Sequence, residues 1–270
     1  MSATAPPRLS PEQRTKLYKE DETWIGKPFD VGANPRAIQA NTRHMALTLL
    51  DTKIEHRASR AAAFAEQLID TLMTDRVTGP VACGKGCSHC CNTFVSATIP
   101  EIFNLARSVR NTPVTTTRVH VAAARAKQIP QLLREANRIA CPILLDHLCS
   151  EYLGRPISCR YLLSKSLDSC VKIFQHNQPE EFPFSDNTVT IRSFAVIMMK
   201  AALILSGLPH QHYELTQALS VALADEQAEE RWLAGQPVFA DIPMDRVDQE
   251  AKSPVSGLVD YFVGLLRPTI

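Results

Sequence analysis

The stretch LTLLDTKIEHRASRAAAFAEQLIDTL, residues 47–72, carries the clearest fold signal in the chain. Its apolar residues recur at spacings of three and four, the pattern of one helix face; they are Leu47, Leu50, Ile54, Ala58, Ala61, Ala65, Leu68 and Leu72. An unbroken helix over residues 35–74 would be about 60 Å long at about 1.5 Å per residue, too long for one compact domain. We therefore expect either a break near Asp51, which gives two core helices, or a protruding helical arm that forms a homodimer.

Other helices are predicted from start signals and apolar runs. Thr98 and Glu101 form a capping box around a proline, and Pro113 follows a second N-cap threonine. The apolar residues 191–206 predict a central helix, and residues 213–234 predict another. Aromatic residues make up only 6% of the chain and no segment alternates like a strand. The sequence predicts a mostly α fold with little or no sheet, in which helices wrap an irregular, cysteine-rich metal-binding core.

These signals divide the chain into five consecutive parts. They are a loosely structured N-terminal segment (1–33), an N-terminal helical region (34–78), a cysteine-cluster metal-binding domain (79–178), C-terminal helices that pack on it (179–240) and a C-terminal tail (241–270).

Composition excludes several classes of protein. The 270 residues carry a net charge of +1, so no global charge favours a nucleic-acid partner. The first residues contain no apolar segment of the kind that directs export. The most apolar run, residues 194–205, is shorter than the roughly 20 residues that span a bilayer, so we expect a buried helix and no membrane partner. The predicted location is cytoplasmic.

Eight cysteines are the strongest functional signal. All lie within residues 83–170, and they are Cys83, Cys87, Cys90, Cys91, Cys141, Cys149, Cys159 and Cys170. In a reducing compartment, such a cluster favours metal ligation or thiol chemistry over a disulfide framework. All eight are predicted metal ligands.

The spacing within the first block bears on the kind of metal site. Cys87 and Cys90 have the two-residue spacing of a metal knuckle. Neighbouring side chains diverge, so Cys90 and Cys91 suit two adjacent metals, or a cluster in which one of them bridges or is kept for chemistry. Thiolates bind zinc and iron–sulfur clusters alike. The cofactor is therefore zinc or iron, a 4Fe–4S cluster included, either as two four-thiolate sites or as one cluster with spare cysteines.

Three blocks of sequence resemble a known family. They are Cys-x3-Cys-x2-Cys-Cys from Cys83, Cys-Pro-Ile-Leu from Cys141, and Cys-x2-Tyr-x2-Arg-Pro-x2-Cys-Arg from Cys149. Together they resemble the cysteine-cluster (CxxxCxxCC-type) family of zinc- or iron-chelating domains, which includes flagellin lysine N-methylase. The resemblance covers roughly residues 80–175 and implies a bound metal or iron–sulfur centre at these cysteines.

The third block also contains Tyr152, Arg155 and Arg160, which match the family's motif. The resemblance makes them candidate cofactor-binding residues, since an arginine can hold a carboxylate or phosphate in a fork. The structural alternative is that the arginines pair with Asp146, Glu151 or the thiolates and hold the loop in place.

Three functions remain open from the sequence. The first is a metal-binding protein that holds zinc or an iron–sulfur centre for folding, storage or delivery to a recipient protein. The second is a metal-dependent enzyme that modifies a protein substrate, as the resemblance to flagellin lysine N-methylase implies, with Cys91 as a spare thiol. The third is a thiol redox sensor that uses Cys90 and Cys91. No catalytic residues are assigned.

Overall fold

The computed structural model describes residues 8–28, 35–130, 133, 139–245 and 254–270. It is 60% helical with 5% strand, which confirms the mostly α prediction. Within those residues the α-helices are α1 (Pro11–Asp21), α2 (Pro35–Leu50), α3 (Arg57–Arg76), α4 (Ile99–Val109), α5 (Pro113–Lys127), α6 (Ile157–Arg160), α7 (Leu167–His176), α8 (Thr188–Leu205), α9 (Leu215–Ala224), α10 (Ala228–Leu233) and α11 (Pro254–Leu266). Short 3-10 turns span His89–Asn92, Tyr152–Gly154 and Arg267–Thr269.

Helix α8 forms the centre of the core, as its apolar sequence predicts. It packs against α2, α3, α6 and α11, and Met199 and Leu203 are fully buried. By length and composition α8 is also the one described helix that could cross a membrane, and 56% of it is buried inside the protein. The core helix of a globular protein has the same length, apolar composition and burial. The helix by itself is therefore weak evidence for a membrane span.

Helices α2 and α3 are separated at the predicted break. Residues 51–56 form turns, and His56 adopts a left-handed conformation (φ 53°) just before α3. His56 supplies no side-chain cap. Glu229 of α10 takes that role, because its carboxylate accepts hydrogen bonds from Ser59 N (2.9 Å) and Ser59 Oγ (2.7 Å). Both helices pack within the core, so residues 35–76 form two core helices and no protruding arm. A homodimer through this region stays a prediction.

The N-terminal segment differs from the expectation of loose structure, because residues 11–21 form α1. Ser10 and Gln13 make a capping box at its start. Tyr18 donates a hydrogen bond to the Thr269 carbonyl (2.7 Å), and Asp21 forms an ion pair with the buried Arg43 of α2. The helix has no apolar stripe, so periodicity missed it. Residues 1–7 and 29–34 of the predicted segment lie outside the described residues.

Two small antiparallel sheets tie the helices together, in keeping with the prediction of little or no sheet. Strand β1 (Ser96–Thr98) pairs with β4 (His212–Glu214), and β2 (Leu144–Leu145) pairs with β3 (Leu148–Cys149). The single helix expected over residues 213–234 is therefore wrong: β4, α9 and α10 share that segment. Glu214 ends the strand and caps α9 by accepting from Thr216 N and Gln217 N. The predicted C-terminal tail includes α11, which packs on α8, while residues 246–253 lie outside the described part of the chain.

Candidate metal centre

The eight cysteines lie on five separate pieces of the chain. Four are in the loop between α3 and β1, and the others are in the segment that leads to the β2–β3 hairpin, on β3, on α6 and on α7. All eight are free thiols. Seven are half-buried, and Cys170 is buried with 6% of its surface exposed.

A first thiol set consists of Cys83, Cys87 and Cys170. Ser164 holds two of them, since its backbone N–H donates to Cys83 Sγ (3.5 Å) and its side chain hydrogen-bonds Cys170. Burial raises the pKa of Cys83, and the charges of Cys87 and Cys170 raise it further. Cys170 therefore lies near Cys83 and Cys87, although more than eighty residues separate it from them in the sequence.

A second thiol set consists of Cys141, Cys149 and Cys159. Burial raises the pKa of Cys141 to about 11, and Cys149 adds to the rise. Burial raises the pKa of Cys159 well above its usual range, with further contributions from Cys141, Cys90 and Cys149. The backbone fixes this set, because Cys141 N donates to the Cys91 carbonyl (2.7 Å) and Leu144 pairs with Cys149 in the hairpin.

Cys90 influences the pKa values of thiols in both sets. Its charge acts on Cys83 and Cys170 of the first set and on Cys159 of the second. A hydrogen bond with the Cys91 thiol raises the pKa of Cys90 strongly, and burial adds to the effect. The sequence predicted that the neighbouring side chains diverge. The two thiols instead meet, at a 3-10 turn over His89–Asn92.

The donor chemistry of these thiols fits a thiolate-bound metal, but their positions do not yet match one. Among the described residues, no group of three His, Cys, Asp or Glu side chains is arranged to hold a metal ion. Binding would have to draw the sulfur atoms together to the zinc–sulfur length of about 2.3 Å. His89, inside the first block, is hydrogen-bonded through Nδ1 to Gln175 of α7 (2.9 Å).

No family model, no curated protein and no solved structure matches this chain. The resemblance to the cysteine-cluster family therefore stays a prediction that rests on the three cysteine blocks.

Tyr152 and Arg155 lie beside the second thiol set. The Arg155 guanidinium stacks over the Tyr152 ring at 3.8 Å from its centroid, and 57% of Tyr152 is exposed. The positive charge of Arg155 lowers the pKa values of Cys90, Cys149 and Cys159 and so opposes part of the effect of burial. Arg155 Nε is buried and has no hydrogen-bond partner among the described residues. Their predicted cofactor-binding role remains a prediction.

Arg160 is buried and contacts the packed helices of the core. Only 1% of it is exposed, and it forms ion pairs with Glu66 (3.4 Å) and Asp70 of α3. Its Nε donates to the Arg155 carbonyl (2.7 Å). These contacts favour the structural alternative for Arg160. The partners differ from the expected Asp146, Glu151 or thiolates, because α3 is packed beneath α6 and no local pattern signals that contact.

Glu101 was recognised from the sequence only as a cap, but it also positions a cysteine. One oxygen accepts from Thr98 N (2.8 Å) and Thr98 Oγ1 (2.6 Å), which is the capping box of α4. The other oxygen accepts from Ile157 N (2.8 Å), at the start of α6. Since α6 carries Cys159, Glu101 and Arg160 together fix the position of that thiol.

A separate cleft of about 360 Å³ lies away from the thiols. Its walls come from α4, α9, α10 and the turn before α3, and charged residues of both signs line it, among them Arg107, Arg110 and Glu229. No cysteine lines it. The cleft is therefore not part of the candidate metal centre.

Glu66 makes the stability of the protein depend on pH. Burial raises the pKa of this carboxyl well above its usual range; Arg160 opposes the rise, and Glu101 and Asp70 add to it. A raised pKa contributes stability that is complete below the unfolded pKa of about 4.3 and is lost as the pH rises through the folded value. The glutamine side chain of Glu66→Gln is neutral at every pH. We expect it to gain stability relative to the natural chain as pH rises, by up to about 1.4 kcal/mol per pH unit between the two pKa values.

Chemical denaturation between pH 4 and pH 9 would measure this gain. Glu226→Gln is the matched control, because the Glu226 side chain is 85% exposed and its charge is solvated in both states. Equal pH dependence in Glu66→Gln and in the natural chain would mean that Glu66 is ionised in the folded protein.

Proposed function

We propose that the protein binds zinc or an iron–sulfur centre through its cysteine cluster. The observation that carries this proposal is the approach of cysteine-bearing stretches to the turn that holds Cys90 and Cys91: α7, which carries Cys170, packs on that turn, and Cys141 N donates to the Cys91 carbonyl (2.7 Å). When bound, the metal supplies the positive charge that keeps such thiols ionised and links the stretches that carry them.

The electrostatics of the thiols support a metal partner. Burial raises the pKa values of Cys83, Cys141 and Cys159, so these groups are protonated thiols near neutral pH unless a cation is present. Arg155 provides a single positive charge beside the second set. A metal ion would supply more charge at shorter range, and its binding would release the thiol protons.

The two alternatives have less support. A redox sensor needs exposed thiols with a lowered pKa, whereas the hydrogen bond between the Cys90 and Cys91 thiols, together with burial, raises the pKa of Cys90. A protein-modifying enzyme remains a proposal that rests on the resemblance to flagellin lysine N-methylase.

Metal content tests the proposed function. Protein purified without oxygen should contain zinc, or iron with acid-labile sulfide, and a thiol reagent should label few cysteines until a chelator is added. Iron–sulfur protein should also absorb visible light broadly, whereas zinc protein should not. A sample treated with chelator and dialysed serves as the control. Protein that contains neither metal, binds neither on reconstitution and reacts fully with the reagent would overturn the proposal.

A further inference from the structure

We propose that the cleft between α4, α9 and α10 binds a small zwitterion. The carboxylate of the ligand contacts the α4 wall, and its ammonium contacts the wall formed by the α9–α10 turn. An ω-amino acid, in which an apolar chain separates the two charged groups, has this chemistry. The inference goes beyond the proposed function, because no cysteine lines the cleft.

The apolar part of the lining belongs to the packed core. Phe103 is 3% exposed, and its ring contacts those of Trp232 (5.8 Å between centroids) and Phe239 (5.5 Å). Three buried alanines complete this surface, and they are Ala106, Ala222 and Ala228. The cleft volume of about 360 Å³ lies within the range of about 300–1,000 Å³ that small-molecule sites occupy. The apolar chain of a ligand can therefore lie on this surface.

Hydrogen bonds hold the walls in place without a ligand. Arg110 of α4 donates to the carbonyls of Ala222 (2.7 Å) and Leu223 (3.2 Å) near the end of α9. Glu229 of α10 accepts from the backbone and the side chain of Ser59 in α3. The cleft is therefore formed before binding, and a ligand does not have to order its walls.

The charges of the lining are divided between two walls. Helix α4 supplies the cations Arg107 and Arg110, whereas the α9–α10 turn and the first turn of α10 supply the carboxylates Asp225, Glu226 and Glu229. Among the described residues one ion pair joins the walls, and its atoms, Arg110 Nη1 and Glu226 Oε1, are 3.9 Å apart, too far for a hydrogen bond. A ligand with one charge of each sign matches both walls.

Three side chains of the lining are available to a ligand. Arg107 in the last turn of α4 and Asn111 just after it have no polar partner among the described residues. The planar guanidinium binds a carboxylate through two parallel hydrogen bonds, and the amide of Asn111 is a further donor. On the other wall, the Glu226 side chain is 85% exposed and can accept from an ammonium group.

His56 supports a binding role for the cleft. It lines the cleft in a left-handed conformation (φ 53°), which glycine would adopt without strain. Strained residues of this kind cluster at functional sites. The imidazole is 45% exposed, and its Nδ1 lies 3.6 Å from Glu229 Oε2. The strained backbone therefore places a further hydrogen-bonding group beside the anionic wall.

The test is the binding of γ-aminobutyrate and ε-aminocaproate to the full chain as purified, measured by saturation-transfer NMR. Butyrate and caproate lack the ammonium group, and butylamine and hexylamine lack the carboxylate. We expect each one-charge analogue to bind about tenfold more weakly than the zwitterion of the same length, because it loses one charge-assisted contact.

Variants on each wall assign the two contacts. Arg107→Ala should weaken zwitterion binding about tenfold and leave amine binding unchanged, and Glu226→Gln should weaken zwitterion binding and leave carboxylate binding unchanged. Arg107 and Glu226 are exposed, so neither change disturbs the core. The matched control is Arg125→Ala, which removes an exposed arginine of α5 outside the cleft.

Three results would overturn the inference. They are failure of both zwitterions to bind the natural chain, equal binding of a zwitterion and its one-charge analogues, and zwitterion binding that neither Arg107→Ala nor Glu226→Gln weakens. The metal content of the protein decides the proposed function separately, since none of these measurements depends on the cysteines.

Discussion

Arg160→Met should lower the free energy of unfolding by about 3–5 kcal/mol, because it removes a fully buried guanidinium and leaves the groups that it binds without a donor. The Arg160 guanidinium is the cation that faces Glu66 and Asp70, and it also donates to the carbonyls of Leu153 and Arg155. Methionine keeps most of the volume but none of the donors. The same variant should lose metal to a chelator faster, since α6 carries both Arg160 and Cys159.

Urea denaturation of metal-free and metal-loaded protein would measure the change. Arg231→Met is the matched control: Arg231 forms an exposed ion pair with Asp225 (2.7 Å), and such pairs are worth at most about 1 kcal/mol. If Arg160→Met unfolds at the same urea concentration as the natural chain, Arg160 is not a structural residue, and its predicted role in cofactor binding regains support.

Glu101→Ala should lower the free energy of unfolding by about 2–4 kcal/mol, because it removes a capping box and leaves buried donors without acceptors. The carboxylate is 1% exposed and serves Thr98 and Ile157 at once. Glu101→Gln keeps one acceptor oxygen and should therefore lose less stability. Thermal and urea unfolding would measure the stabilities. We expect the natural chain to be the most stable, Glu101→Gln less stable and Glu101→Ala the least stable.

The first-turn glutamate of α1 provides the comparison. Glu12 is exposed, so Glu12→Ala should change stability far less than Glu101→Ala. Equal losses from the two variants would mean that the bond between Glu101 and Ile157 contributes nothing, and that α6 is held by other contacts.

The sequence predicted those helix starts and breaks that depend on residues close together in the chain. The starts of α4 and α5 follow from a threonine and a proline at each, although the Thr112 side chain makes no capping hydrogen bond, and the break after α2 follows from helix length. Helix α1 was missed because its residues are polar and its docking partner, Thr269, lies at the other end of the chain. The break between α9 and α10 was missed because the residues around Asp225 are polar, like the exposed face of a helix.

The candidate site also contains residues that the sequence predicted and contacts that it could not predict. Clustering along the chain predicted the eight cysteines as a site, and the resemblance to the cysteine-cluster family added Tyr152, Arg155 and Arg160. Their partners could not be predicted, because Glu66 reaches Arg160, and Ser164 reaches Cys83, only once distant segments have packed. The division of the thiols into two sets likewise depends on which loop α7 approaches.

The pairing of β1 with β4 has a consequence for the order of folding. Thr98 and His212 face each other across this sheet although they lie more than a hundred positions apart. Cys83, Cys87, Cys90 and Cys91 precede the loop that the sheet closes, and the other four cysteines lie within it. Contacts between such distant segments form slowly, and a chain folds from its N-terminus as it is synthesised. We therefore expect the first block of cysteines to be exposed to solvent before the other four cysteines pack against it.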